Sequence, residues 1–308
     1  MQHGRVIQST GSWYEVMLKN GVTLSCRLKG KFRLQESRFT NPIAVGDEVI
    51  VDADEDGASV ITQIQARKNY LIREATHKTE HKHIIASNID QVVIIATLKL
   101  PRTSTGFIDR VLLTAEVYGI PAVIVFNKYD IYNAKDKEKL IELEYIYKQA
   151  GYTVLTTSVI SNLHVAHLKD ILKDNTSLIA GHSGVGKSSL INTMEPELNL
   201  RVDFISKAHG KGTHTTTFAR MMPLSFGGFI IDTPGIKEFG TVDLEPEEIS
   251  HYFPEFRKYL LECRFNNCVH YNEEGCAVKD AVENLEIAPS RYINYLSIYE
   301  EVKSKKKW

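Results

Sequence analysis

Residues 181–188 read Gly-His-Ser-Gly-Val-Gly-Lys-Ser, directly behind an apolar run at 177–180. No other feature narrows the choice of fold as much. In the spacing G-x-x-x-x-G-K-[S/T], the glycines let backbone N–H groups turn inward and wrap phosphate oxygens. A strand in front and a helix behind supply the context such a loop needs. Lys187 is expected to neutralise the β- and γ-phosphates, and the Ser188 hydroxyl to bind Mg²⁺. The rest of the phosphate-binding set is Gly181, His182, Ser183, Gly184, Val185, Gly186 and Ser189.

The surrounding pattern is that of a parallel sheet. Residues 91–96 and 122–126 are nearly unbroken apolar runs, as strands buried on both faces require. Helical stretches are expected at 106–118 and 135–149, and further strands at 153–157, 177–180 and 229–231. Alternation of this kind predicts a doubly wound α/β sheet.

The phosphate loop alone does not select a base, but Asn127-Lys128-Tyr129-Asp130 does. It follows a buried strand at its carboxyl end, where α/β sheets bind ligands. The Asp130 carboxylate accepts from N1–H and the exocyclic amine of guanine. Adenine has an acceptor at N1 and no amine at C2, so it is rejected. Asn127 meets the O6/N7 edge and the Lys128 stem lies against the ring. Ser158-Val159, after the next strand, suits a short backbone loop supporting the guanine carbonyl.

Asp232-Thr233-Pro234-Gly235 ends another apolar run. Asp232 can hold Mg²⁺ through water, and the Gly235 N–H can sense a γ-phosphate. Between these motifs lies Gly210-Lys211-Gly212-Thr213-His214-Thr215-Thr216-Thr217. Either Thr215 or Thr216 is expected on Mg²⁺ when GTP is bound. The glutamine that orients the attacking water in many GTPases is absent, because Ile236 follows Gly235. His214 is the leading replacement and His182 the second.

The motifs run in permuted order. The guanine motif at 127–130 precedes the phosphate loop at 181–188, the threonine loop at 213–217 and the D-x-x-G segment at 232–235. The same sheet forms if the old termini are joined and the chain is cut after the last of these.

The flanks differ from this core. Residues 1–66 carry several short β-prone runs around Asn20-Gly21 and Val45-Gly46-Asp47, which suggests a small barrel. Arg27, Lys29, Lys31 and Arg33 recur every second residue. If the strand continues through them, they share one face. That face suits either an RNA backbone or a solvated edge strand. Residues 67–90, basic and histidine-rich at 67–83, read as a linker. After 238 the pattern turns helical around Cys263-x4-Cys268-x-His270-x5-Cys276. Three thiolates and one imidazole are a complete tetrahedral set with no open position, so one structural Zn²⁺ is expected.

The formal net charge of −1 excludes a chain-wide polyanion field, so any nucleic-acid surface is local. No stretch of about 18 apolar residues is present to span a membrane. Residues 1–14 hold no apolar run of the signal-peptide type, and the chain is expected in the cytoplasm as a monomer.

With these residues in view, the chain resembles the ribosome small-subunit-dependent GTPase A family of bacterial circularly permuted GTPases. The permuted order, the His214-Thr215-Thr216-Thr217 loop and the C-x4-C-x-H-x5-C spacing carry the resemblance. So do Arg67-Lys68-Asn69-Tyr70-Leu71-Ile72-Arg73, Pro254-Glu255-Phe256-Arg257 and Arg291-Tyr292. The resemblance implies an α/β fold: a circularly permuted P-loop GTPase domain at 91–238, flanked by an N-terminal OB-like β-barrel at 1–66 and a C-terminal helical zinc-binding domain at 239–308. It implies GTP hydrolysis stimulated by the small ribosomal subunit, late in that subunit's maturation, with His214 positioning water and rRNA as partner. The alternative is an RNA-binding switch that nucleotide locks, with little turnover. An ATP-using P-loop enzyme is disfavoured by the N-K-x-D motif.

Overall fold

The structure is a computed structural model that describes residues 1–29, 41–53, 57–74, 82–200, 219–232 and 244–305. It divides into two compact units, one of residues 1–92, 166–179 and 194–235, the other of 93–165, 180–193 and 236–308.

The first unit holds the barrel. Its strands are β1 (Gln2–Ser9), β2 (Trp13–Leu18), β3 (Thr23–Leu28), β4 (Glu48–Ala53) and β5 (Ser59–Ile64). They pair in the order β1-β2-β3-β5-β4, and β4 returns to β1, with Gly4 opposite Val49. Only β3 and β5 run parallel. Full closure of five strands in this order is the OB-type solution to exposed sheet edges. Alternation drives it: Tyr14, Val16 and Leu18 of β2 point inward to meet Val6, Cys26, Val49, Val51 and Ile61.

Residues 67–90 are more than a connection. β6 (Tyr70–Glu74) and β7 (Lys82–Ser87) form an antiparallel pair. The basic residues ahead of β6 are used in folding. Arg67 makes a two-pronged bond to the fully buried Asp47 at 2.7 and 2.7 Å, and Ser87 Oγ donates to the same carboxylate at 2.6 Å. Lys68 pairs with Asp90 at 3.1 Å. In this unit β11 (Thr176–Ala180) runs parallel to β13 (Phe229–Asp232), and β12 (Arg220–Pro223) lies antiparallel to β13.

The second unit is built on β8 (Gln91–Ala96), β9 (Ala122–Phe126) and β10 (Thr153–Thr156), with β9 and β10 parallel. α1 (Thr105–Val117) starts where Ser104 caps the Phe107 N–H at 3.2 Å. α2 (Ala134–Gln149) starts from a capping box of Asn133 and Asp136. α4 (Lys187–Met194) opens directly from the phosphate loop, while α3 (Val165–Leu172), which precedes β11, lies in the first unit from Ala166 on.

The C-terminal region packs on α1. Leu113 shares one core with Ile249, Phe253, Phe256, Val278 and Tyr295. Residues 246–262 are short 3₁₀ turns rather than α-helix, two of them opened by Pro246 and Pro254. α5 (Ala277–Glu283) and α6 (Pro289–Lys305) follow.

Candidate nucleotide site and metal cluster

The guanine motif and the phosphate loop meet at Asn127. Asn127 is buried at the end of β9, and its Nδ2 donates to Val185 O at 2.9 Å. Thr157 Oγ1 donates to Asn127 Oδ1 at 3.0 Å, which fixes the orientation of the amide. The close approach explains one glycine. Gly186 has φ +97°, and a Cβ there would lie 2.4 Å from Asn127 Nδ2. Gly181, at φ +145°, would place its Cβ 2.4 Å from Ile95 O.

Lys187 is buried and its Nζ donates to Gly181 O and His182 O, each at 2.8 Å. The ammonium is therefore held inside the loop that phosphates would occupy, on carbonyls they can replace. Ser188 is buried in the first turn of α4, with Ser189 beside it. His182 is packed against Phe107 in a tilted arrangement, ring centroids 4.0 Å apart at 36°. Sequence reasoning missed this contact, since nothing in the residues around 107 marks Phe107 as a neighbour of the loop.

At the base end, Asp130 is exposed and Ser158 Oγ donates to its Oδ1. Ser158 is fully buried, and its backbone bridges Leu163. The serine thus aims the carboxylate, a side-chain role beyond the backbone loop expected at Ser158-Val159. Lys128 has φ +65°, in the left-handed region that a non-glycine residue rarely occupies.

Asp232 closes β13 of the first unit and is buried. Gly235, His214, Thr215 and Thr216 lie outside the described residues, as do Lys31 and Arg33. Within the basic stripe, β3 ends at Leu28, so Lys29 stands just past the strand, exposed. Arg27 faces outward and its guanidinium lies over the Trp13 ring, 4.4 Å from the centroid.

Cys263, Cys268, His270 and Cys276 converge, with their donor atoms within 4.8 Å of one another. His270 Nδ1 is 3.6 Å from Cys263 Sγ and 3.3 Å from Cys276 Sγ. Tetrahedral zinc with ordinary Zn–S and Zn–N bonds sets sulfur and nitrogen about 3.6 Å apart. The set therefore fits a closed Zn²⁺ site. Without a cation, burial pushes the Cys268 thiol up to about 12 and holds His270 down to about 4. A central dication favours the thiolates that burial alone disfavours. Around the cluster, Tyr292 OH donates to His270 O at 2.7 Å, and the Glu273 carboxylate accepts the Val269 and Tyr271 N–H groups.

A further buried group lies between α1 and the C-terminal region. Arg291 donates to Asp109 at 2.6 Å and to Glu255 at 2.6 and 3.1 Å. Tyr147 OH and Asn294 Nδ2 complete the bonds to Asp109. Burial raises the pKa of Asp109, and Arg291 works against that rise.

A phosphate loop behind β11, an N-K-x-D motif bonded to it from β9, and the reversed order of the two in the chain define a circularly permuted P-loop GTPase. The sequence model of the RsgA GTPase matches residues 64–242 and that of the RsgA N-terminal domain residues 3–61. The chain belongs to the RsgA GTPase family. It is 51% identical over 300 residues to the small ribosomal subunit biogenesis GTPase RsgA of Flavobacterium psychrophilum, covering 96% of this chain and 92% of the relative. It is 48% identical over 298 residues to the protein of the same name from Phocaeicola vulgatus, covering 97% and 96%. Among solved structures, YjeQ from Thermotoga maritima superposes with a TM-score of 0.80 at 39% identity, covering 98% of each chain. YloQ, described as a circularly permuted GTPase, gives 0.76 at 30% identity, covering 99% of this chain and 96% of the other.

Proposed function

We propose that this chain hydrolyses GTP in the maturation of the small ribosomal subunit and that the subunit stimulates the reaction. The observation that carries the GTP reading is the Asn127–Val185 bond, which joins the base-selecting and phosphate-binding segments. The curated relatives' name carries the ribosomal part. In this reading the 181–189 segment and Lys187 hold the phosphates, and Asn127, Lys128, Asp130 and Ser158-Val159 hold guanine. Ser188, Asp232 and one of Thr215 and Thr216 hold Mg²⁺, whose hard charge suits these oxygen donors. Gly235 senses the γ-phosphate and His214 orients the attacking water. Cys263, Cys268, His270 and Cys276 hold one structural Zn²⁺. The barrel at 1–66, through Arg27, Lys29, Lys31 and Arg33, contacts rRNA. Residues 67–90 connect it to a GTPase domain at 91–238 and a zinc domain at 239–308, in a monomer acting in the cytoplasm.

The test is GTP turnover with and without purified small subunits. Stimulation that disappears in His214→Ala, with GTP affinity kept within a few-fold, is the expected result. Equal turnover with and without subunits refutes the ribosomal role. Unchanged turnover in His214→Ala refutes the assignment of the water-positioning group.

A further inference from the structure

The loop from residue 97 to residue 103 belongs to none of the recognised motifs, yet it touches both halves of the nucleotide site. Its carbonyl at Leu100 accepts from Lys128 Nζ, the lysine of the guanine motif. Its Pro101 ring lies against the phosphate loop, where a Cβ on Gly184 would meet Pro101 Cδ at 3.4 Å. The loop is closed on itself: Thr103 N donates to Thr97 O at 2.8 Å, Thr97 N to Thr103 Oγ1 at 3.1 Å, and Thr97 Oγ1 to Pro101 O. Tyr132 pins it a second time. The Tyr132 hydroxyl accepts from Leu98 N at 2.9 Å and donates to Asn127 O at 2.7 Å.

Leu100 sits at φ +54°, and the residue is 71% exposed. A leucine gains nothing there from packing and costs energy in the left-handed region. What that backbone does is turn the carbonyl onto the Lys128 ammonium. The Lys128 stem in turn runs past the phosphate loop, its Cε 3.9 Å from where a Gly186 Cβ would stand.

We propose that the 97–103 loop is a positioning element of the guanine-nucleotide site. It tethers the Lys128 ammonium through Leu100 O, so that the aliphatic stem is already laid along the phosphate loop when the base arrives. Leu100, Pro101 and Tyr132 are positioning residues and act through Lys128 and Gly184. The proposal rests on the guanine-site reading above.

The experiment uses the full-length protein, GTP turnover, and dissociation of a fluorescent GDP analogue. Tyr132→Phe strands the Leu98 N–H and the Asn127 carbonyl, so KM for GTP and GDP release are expected to rise about tenfold with kcat little changed. Leu100→Gly relieves the backbone and removes no packing, so a merely structural loop predicts equal or higher Tm and no change in KM. The tether predicts equal or higher Tm with KM raised several-fold. In a Lys128→Met background the Leu100→Gly effect is expected to vanish, because the two act through one contact. An unmoved KM in both variants overturns the proposal, and so does a Leu100→Gly effect that persists undiminished in Lys128→Met. Failure of the unaltered protein to bind the GDP analogue would instead overturn the guanine-site reading.

Discussion

Arg291→Met tests what holds the C-terminal region to α1. The Arg291 side chain is 3% exposed, and its carboxylate partners Asp109 and Glu255 are 0% and 8% exposed. Methionine keeps much of the volume against Phe253, Tyr147 and Tyr152, over whose rings the guanidinium lies. Packing is therefore largely retained, while two buried carboxylates lose their cation. Removing one partner of such a group costs about 3–5 kcal/mol. The sign of the pH dependence is set by Asp109. Its folded pKa is raised by burial, and Arg291 opposes the rise. Without the arginine the folded pKa moves higher still. A raised carboxyl contributes stability below its unfolded pKa and loses it as pH rises through the folded pKa. The deficit of Arg291→Met is thus largest at neutral pH and shrinks toward acid. Urea unfolding of both proteins across pH 5–8 measures it, and the shared response of the cysteine cluster cancels in the difference. A deficit under about 1 kcal/mol, or one that grows as pH falls, refutes the reasoning.

Two other outcomes are expected. Asp130→Asn replaces an acceptor pair with an amide, so affinity for GTP drops by about a hundredfold or more while xanthine nucleotide gains; competition binding reads this, and retained guanine preference counts against the assignment. Metal analysis of protein purified without chelator gives one zinc per chain, lost in His270→Ala, and a strong chelator makes Cys263, Cys268 and Cys276 reactive to a thiol probe. A zinc-free protein with the three thiols still shielded would sink the metal reading.

What was legible in the sequence was whatever a continuous segment carries. The apolar runs at β8 and β9 and the phosphate loop each lie in one stretch, so composition and spacing expose them. β1 is not legible in the sequence, because Gly4, Arg5 and Gln8 break its alternation; it becomes a strand only by pairing with β2, β4 and β12. The 67–90 segment reads as a basic connection because the acidic partners of Arg67 and Lys68, Asp47 and Asp90, stand 20 and 22 residues away in the chain. The 3₁₀ turns near 246–262 looked helical because their apolar residues recur at three and four, while Pro246 and Pro254 keep each turn short. The Arg291 group was invisible for a simpler reason: its partner on α1 is 182 residues away.

The permuted order gains a physical meaning from that same arginine. A chain cut after the D-x-x-G segment leaves its C-terminal part attached to the nucleotide domain by a single strand of backbone. A short linker alone does not fix orientation, because it restrains distance and leaves rotation open. Here the restraint comes from α1. Leu113 joins the C-terminal core, and Asp109, four residues earlier on the helix, binds Arg291 of α6, which also binds Glu255 beside Phe256. Phe256 is in turn packed edge-on to His270 of the cysteine cluster, centroids 6.2 Å apart. The first turn of the same helix carries Phe107 against His182 of the phosphate loop. Apolar contact alone would tolerate sliding of α6 along α1. A buried guanidinium bonded to two carboxylates does not, since a shift of one helical residue, about 1.5 Å, breaks bonds between groups that are 0–8% exposed. The ion group thus fixes register where the permutation removed covalent restraint, and it fixes it to the helix that also packs on the phosphate loop.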